Sequence, residues 1–166
     1  NMSCIIKIDY ANRDYVAQKA LASGFQGILF TDHKTAEEVE NTLKMVTPSI
    51  PHEGGRLGYV SRRFYKNEGF KNQLTYAAEV KKCVMGFMIE KVEAVKNIEE
   101  ICQVPGVDFV QFGPADFSMN SGFNAKEEVE KVREAEEKVI KTALKYGVSP
   151  RAALITIAVV FISFKR

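Results

Sequence analysis

Much of the familiar machinery of soluble enzymes is missing from this chain. It holds no Ser–His–Asp arrangement, no phosphate-cradling P-loop and no Gly-x-Gly-x-x-Gly fingerprint. Histidine is scarce, with only His33 and His52. The three cysteines, Cys4, Cys83 and Cys102, are odd in number, widely spaced and form no Cys-x-x-Cys pair. That excludes a disulfide framework or a cysteine metal knuckle, and the apolar settings read as buried free thiols in a reducing, cytoplasmic compartment. Excess charge of one sign is also absent. Twenty-three Lys and Arg against 21 Asp and Glu leave +2, and the basic residues are scattered, so neither nucleic acid nor an anionic membrane is an expected partner. No basic segment followed by a long apolar run opens the chain, so no secretory leader is expected. The one long apolar run, Ala152–Phe164, has 13 residues, short of the roughly 17 to 25 that a spanning helix needs. It reads as a buried strand or an altered terminus.

What is present is an ordinary globular composition: 166 residues, 46% hydrophobic and 27% charged, enough for one domain over 1–166 with a sizeable core. Apolar runs at Cys4–Ile8, Gly27–Phe30, Cys83–Ile89 and Val107–Phe112 predict strands, and Ala152 onward a fifth. Helical patterns fall between them. Asn12–Ser23 puts Val16, Ala20 and Leu21 on one face, with Gly24 as its stop. Thr35 with Glu38 forms a capping box ahead of the Val39, Leu43 and Val46 stripe, and Pro48 and Pro51 end that helix. Asn72–Lys82 is helical, and Ala125–Tyr146 presents Val129, Val132, Ala135, Val139 and Leu144 as its apolar face. Between His52 and Tyr65 a long loop gathers Gly54, Gly55, Gly58, Arg56, Arg62 and Arg63. Strands alternating with helices describe an α/β fold with a parallel sheet. A closed (β/α)₈ barrel of TIM type needs about 200 residues or more, so the chain holds a partial barrel of about five of the eight βα units. Asn1 standing before Met2 agrees with a piece of a longer chain.

The densest stretch is Gly86 to Ser118. It reads as strand, amphipathic helix, strand, and each strand ends on an acid: Glu90 directly, Asp116 within Gly113-Pro114-Ala115-Asp116. Parallel strands of a βαβ unit deliver both acids to the same carboxyl-end rim, where α/β proteins place their chemistry. Two carboxylates there suit a hard divalent cation such as Mg²⁺ or Mn²⁺. They equally suit helix capping. The Gly-Pro turn presents the N–H groups of Ala115 and Asp116 as an anion nest, or is simply a strand-to-helix turn. Lys7, at a strand end, can face a substrate oxygen or snorkel to solvent. His33 reads as an acid/base or, more simply, as a solvent-facing loop residue.

Several of these segments together resemble the HpcH/HpaI aldolase family, which takes in citrate lyase β-type proteins. The resemblance is carried by Gly86-Phe-Met-Ile-Glu90, Glu93-Ala-Val-Lys-Asn97, Pro105-Gly-Val-Asp108 and Gly113-Pro-Ala-Asp-Phe-Ser118, and it extends upstream through Ala22–Gly27, Thr35–Glu38 and Gly55–Gly58. It implies a metal-dependent class II aldolase, a carbon–carbon lyase acting on a pyruvate-type 2-oxo acid through a metal-bound enolate, with an aldehyde as the other partner. Glu90 and Asp116 would bind Mg²⁺ or Mn²⁺. Gly113, Pro114, Ala115 and Asp116 would form the substrate site, the Ala115 and Asp116 amides holding the carboxylate. Assembly into a homo-oligomer is also implied. Four departures accompany the likeness. Two early βα units with a catalytic histidine have no counterpart, and the last strand and terminal helices are absent, Pro150–Arg166 following a course of its own. Lys7 stands where the family has a substrate-contacting arginine, losing the bidentate fork. Met88 replaces a glutamine. A catalytically silent scaffold that keeps the fold is therefore the competing expectation.

Overall fold

The computed structural model describes residues 4–59 and 72–151. Five strands form one sheet in the order β1 (Ile5–Ile8), β2 (Gly27–Phe30), β3 (Val84–Ile89), β4 (Phe109–Phe112) and β5 (Ser149–Arg151), every neighbouring pair parallel. Spatial order that follows chain order means each crossover returns on the same side. That is the winding of a barrel rather than of a two-sided open sheet, so the chain is a partial (β/α) barrel. Seven helices are described: α1 (Arg13–Ala22), α2 (Ala36–Val46), α3 (Gln73–Val80), α4 (Val92–Lys96), α5 (Ile98–Cys102), α6 (Pro114–Ser121) and α7 (Val129–Lys145).

Side-chain alternation sorts the strands into two faces. Ile8, Ile28, Phe30, Phe87, Ile89, Val110 and Phe112 point to the helices and form the main core with Ala17, Leu21, Val39, Ile98, Ile101 and Val139. The opposite face carries a smaller cluster of Leu29, Met88 and Phe109, with Val84 against it. In register across this inner face run Lys7, Leu29, Gly86, Phe109 and Ser149, and one layer nearer the carboxyl rim Met88, Gln111 and Arg151. Gly86 has to be glycine because the Phe109 ring lies where its Cβ would stand, 2.1 Å from Cζ.

The capping box forms as expected, Thr35 Oγ1 accepting from the Glu38 N–H at 3.3 Å and the Glu38 carboxylate taking the Thr35 N–H at 3.4 Å. Val39, Leu43 and Val46 are buried. The described part of the glycine-rich loop is tied back onto the end of α2 by Arg56 N–H to Lys44 C=O (2.7 Å) and Leu57 N–H to Thr47 C=O (2.9 Å). Among the described residues no helix is long and apolar enough to cross a membrane.

Several expectations need correcting. The helix between the two acids is broken at Asn97, whose side chain donates to the Lys34 carbonyl at 3.0 Å and so joins α4 and α5 to the loop after β2. The last helix begins at Val129 rather than Ala125, and its buried stripe is Ala135, Val139, Thr142 and Ala143; Val129 and Leu144 are exposed. Leu144 fails because it lies one residue, about 100°, beyond the buried Ala143. A fifth strand is present, but it occupies Ser149–Arg151. The apolar run from Ala152, like Arg62 and Arg63, lies outside the described residues. Cys102 is buried and Cys83 half-buried, with burial raising both thiols to about 11, whereas Cys4 is exposed beside the outermost strand.

Candidate active site

Glu90 follows β3 directly. Alternation with Val84, Gly86 and Met88 turns it to the inner face, where it is 2% exposed. Its Oε1 accepts the backbone N–H of Asp32 at 3.0 Å. Its Oε2 is buried and has no hydrogen-bond partner among the described residues. Burial raises the carboxyl above its ordinary 4.5; the charges of Asp116 and Asp32 push the same way, against the Asp32 N–H and the Lys7 charge. An unpaired buried acceptor costs about 1–3 kcal/mol, more when it carries charge.

The second acid arrives from β4. Gly113 is the N-cap of α6 and Pro114 its first residue, the place where a missing N–H costs nothing. The Phe117 N–H is bonded to the Gly113 carbonyl at 2.9 Å, so the N–H groups of Ala115 and Asp116 precede the helical ladder and are open to an anion. Ala115 is exposed and Asp116 half-buried. Gly113 has an unstrained φ of −112°. Space is what demands glycine here, because a Cβ would stand 2.8 Å from Glu90 Cβ and 3.0 Å from its Oε2. The missing side chain thus lets the start of α6 lie close against an oxygen that has no partner among the described residues.

Lys7 is exposed on β1, and its charge acts on Glu90 from the same face. The structure therefore brings Glu90, Asp116 and Gly113 to one rim, with Lys7 on the same face but two layers lower, in register with Leu29 and Gly86. His33 is not with them, and the expectation of a solvent-facing residue is wrong. It is completely buried, with Arg13 Nη1 2.5 Å and Thr42 Oγ1 2.7 Å from Nε2 and the Phe87 ring edge-on at 5.0 Å. Burial and then the Arg13 charge lower its pKa to about 3, so it is neutral at pH 7. His52 lies in an exposed turn at φ +71°.

Asp32 was the residue that sequence reasoning passed over. It sits at φ +62°, a left-handed conformation costing about 1 kcal/mol for a residue with a Cβ. The Lys91 ammonium holds its Oδ1 at 2.8 Å and the Thr31 hydroxyl its Oδ2 at 2.6 Å. Burial raises its carboxyl, but Lys91 and Thr31 outweigh that and leave it below the ordinary range. This turn aims the Asp32 N–H at Glu90. Its place at the end of a strand neighbouring Glu90 was the available signal.

Two carboxylates, one with a buried oxygen that lacks a partner among the described residues, match what a hard divalent ion needs from protein when water and substrate oxygens complete the shell. Among the described residues no group of three or more His, Cys, Asp or Glu side chains could hold an ion unaided. A cavity of about 520 Å³ between Lys34, Lys91, Lys96 and Asn120 lies beside this rim and is lined by neither acid.

Comparison with known proteins gives the family and the fold. The family model described as HpcH/HpaI aldolase/citrate lyase matches residues 1–158. Hydroxypyruvate/pyruvate aldolase of Paraburkholderia phytofirmans is 21% identical over 136 residues, covering 81% of this chain and 52% of that protein. An HpcH/HpaI aldolase from Desulfitobacterium hafniense superposes with a TM-score of 0.76 at 27% identity, over 91% of this chain and 57% of that one. The protein CitE from Mycobacterium tuberculosis, solved in complex with magnesium and pyruvate, shares the fold at a TM-score of 0.59 and 9% identity, over 89% and 49% of the two chains. The chain spans about half the length of these relatives.

Proposed function

The chain belongs to the HpcH/HpaI aldolase/citrate lyase family, and from that premise we propose that it carries the metal- and oxo-acid-binding part of a class II carbon–carbon lyase site. The substrate class is a pyruvate-type 2-oxo acid, with an aldehyde as the second partner. One observation carries the reading: the buried Oε2 of Glu90, without a partner among the described residues, close against Gly113 and within the field of Asp116. Glu90 and Asp116 would hold Mg²⁺ or Mn²⁺. When bound, the ion supplies Lewis-acid stabilisation of charge developing on the substrate's keto oxygen. The N–H groups of Ala115 and Asp116 would hold the substrate carboxylate. Lys7 would offer a point charge to the keto oxygen, weaker in orientation than a guanidinium. The names of the two relatives, one acting on hydroxypyruvate and pyruvate and one solved with magnesium and pyruvate, support this ligand class. The free thiols suit a cytoplasmic setting, and self-assembly follows from the family likeness.

A second reading, a silent scaffold, is favoured by a specific observation. Among the described residues neither histidine is placed for proton transfer, His33 being buried and neutral and His52 lying on an exposed loop. Mn²⁺ titration followed by electron paramagnetic resonance tests the metal site common to both. The wild type should bind, and Glu90→Gln and Asp116→Asn should each weaken binding at least tenfold. Unchanged affinity in either variant would remove that residue from the site.

A further inference from the structure

Glu90 Oε2 is not alone on the inner face. Gln111 Oε1 is also buried and without a hydrogen-bond partner among the described residues. Gln111 lies on β4 between Phe109 and Gly113, so alternation sends its side chain to the inner face with Phe109, while Val110 and Phe112 go to the helices. It pairs in register with Met88 on one side and Arg151 on the other. It stands two residues, about 7 Å along the strand, below Gly113 and its contact with Glu90. The neighbours that could have paired with its amide do not. Met88 offers only a thioether, a weak acceptor with no donor, Leu29 and Phe109 are apolar, and Arg151, though in register on β5, is exposed and gives the Gln111 Oε1 no hydrogen bond. An unpaired buried amide oxygen is destabilising in the free protein, and such groups are rare enough to call for an explanation.

We propose that Gln111 is a specificity-determining residue, and that its amide selects a 2-oxo acid bearing a hydroxyl group, of the 3-hydroxypyruvate type, over one ending in a methyl group. The inference rests on the reading of Glu90 and Asp116 as the site that fixes the oxo-acid end. With that end held at the rim, the remainder of the molecule faces the layer beneath, where Gln111 Oε1 is a buried acceptor without a partner among the described residues. A hydroxyl both donates and accepts, so it satisfies the amide in either orientation; a methyl satisfies it in neither. Discrimination of this kind comes from leaving a buried polar group unpaired with the wrong ligand.

The test is calorimetric titration of the full chain, loaded with Mn²⁺, with 3-hydroxypyruvate and with pyruvate. The wild type should bind 3-hydroxypyruvate about tenfold more tightly. Gln111→Met, close in shape, should lose that preference through weaker 3-hydroxypyruvate binding alone, with pyruvate affinity unchanged. Its melting temperature should hold or rise, because an unpaired buried acceptor has gone; a purely structural amide would show a fall. Gln111→Asn, which withdraws the amide by one methylene, should lose the preference too and serves if the methionine variant does not fold. Equal wild-type affinity for the two acids, or equal weakening of both in the variants, overturns the role of Gln111 and leaves the metal site standing. Failure of the Mn²⁺-loaded wild type to bind either acid overturns the site reading, and this inference with it.

Discussion

Gly113→Ala probes the close approach to Glu90 with a single methyl group. The new Cβ would come within 2.8 Å of both Glu90 Cβ and Met88 Cε, about 0.6 Å inside the 3.4 Å where ordinary contact begins. Met88 Cε is the end of a flexible side chain and can swing away. Glu90 Cβ is fixed to the backbone just beyond β3, so relief there has to move the strand end or turn the carboxylate. Displacements of about half an ångström are what a coordinating group tolerates least. The backbone itself gives no reason for glycine, since φ is −112°. The effect is therefore overpacking, costing about 1–3 kcal/mol of stability, together with about a 10- to 100-fold loss of Mn²⁺ affinity as Glu90 shifts. Urea unfolding and Mn²⁺ titration read the two quantities. Gly86→Ala supplies the contrast, because its Cβ would strike the Phe109 ring deeper in the inner face rather than Glu90. It should unfold more easily, with the larger fractional loss of metal affinity belonging to Gly113→Ala. A Gly113→Ala protein with wild-type stability and Mn²⁺ affinity would refute the reasoning.

Two further outcomes follow from buried titrating groups. Glu90 has its carboxyl raised, so above the ordinary 4.5 the native state keeps a proton that the unfolded chain has lost, and stability falls as pH rises through that interval. Metal-free Glu90→Gln cannot titrate and should be at least as resistant to urea as the wild type at pH 7; a less stable variant contradicts this. His33 has the opposite sign. Its pKa of about 3 lies below the ordinary 6.5, so the unfolded chain takes up the proton first and stability is lost as pH falls below 6.5. Between pH 7 and pH 5 the loss approaches about 2 kcal/mol. His33→Phe should remove that part of the acid sensitivity, and an unchanged urea–pH profile would refute it.

How much could be read in advance followed the range of the interactions. Elements fixed by neighbours in sequence were legible: the Thr35–Glu38 box, the β-branched strands, and the βαβ logic that carries Glu90 and Asp116 to one rim. What depended on distant partners was not. His33 is buried because Arg13, twenty residues earlier, and Thr42 meet it across α1 and α2. The helix after Glu90 breaks because Asn97 finds the Lys34 carbonyl, 63 residues away in sequence. Asp32 contributes through a backbone N–H set by a left-handed conformation, which no residue type except glycine announces. Cys4 is exposed because the outermost strand is covered on fewer sides than its apolar sequence suggests.

The most direct test of the central claim is solvent deuterium exchange into the methyl group of pyruvate, followed by proton magnetic resonance with and without Mn²⁺. Exchange should require Mn²⁺ and disappear in Glu90→Gln and in Asp116→Asn. Absence of exchange from a wild type that binds both Mn²⁺ and pyruvate would contradict the lyase reading and leave the silent scaffold in its place.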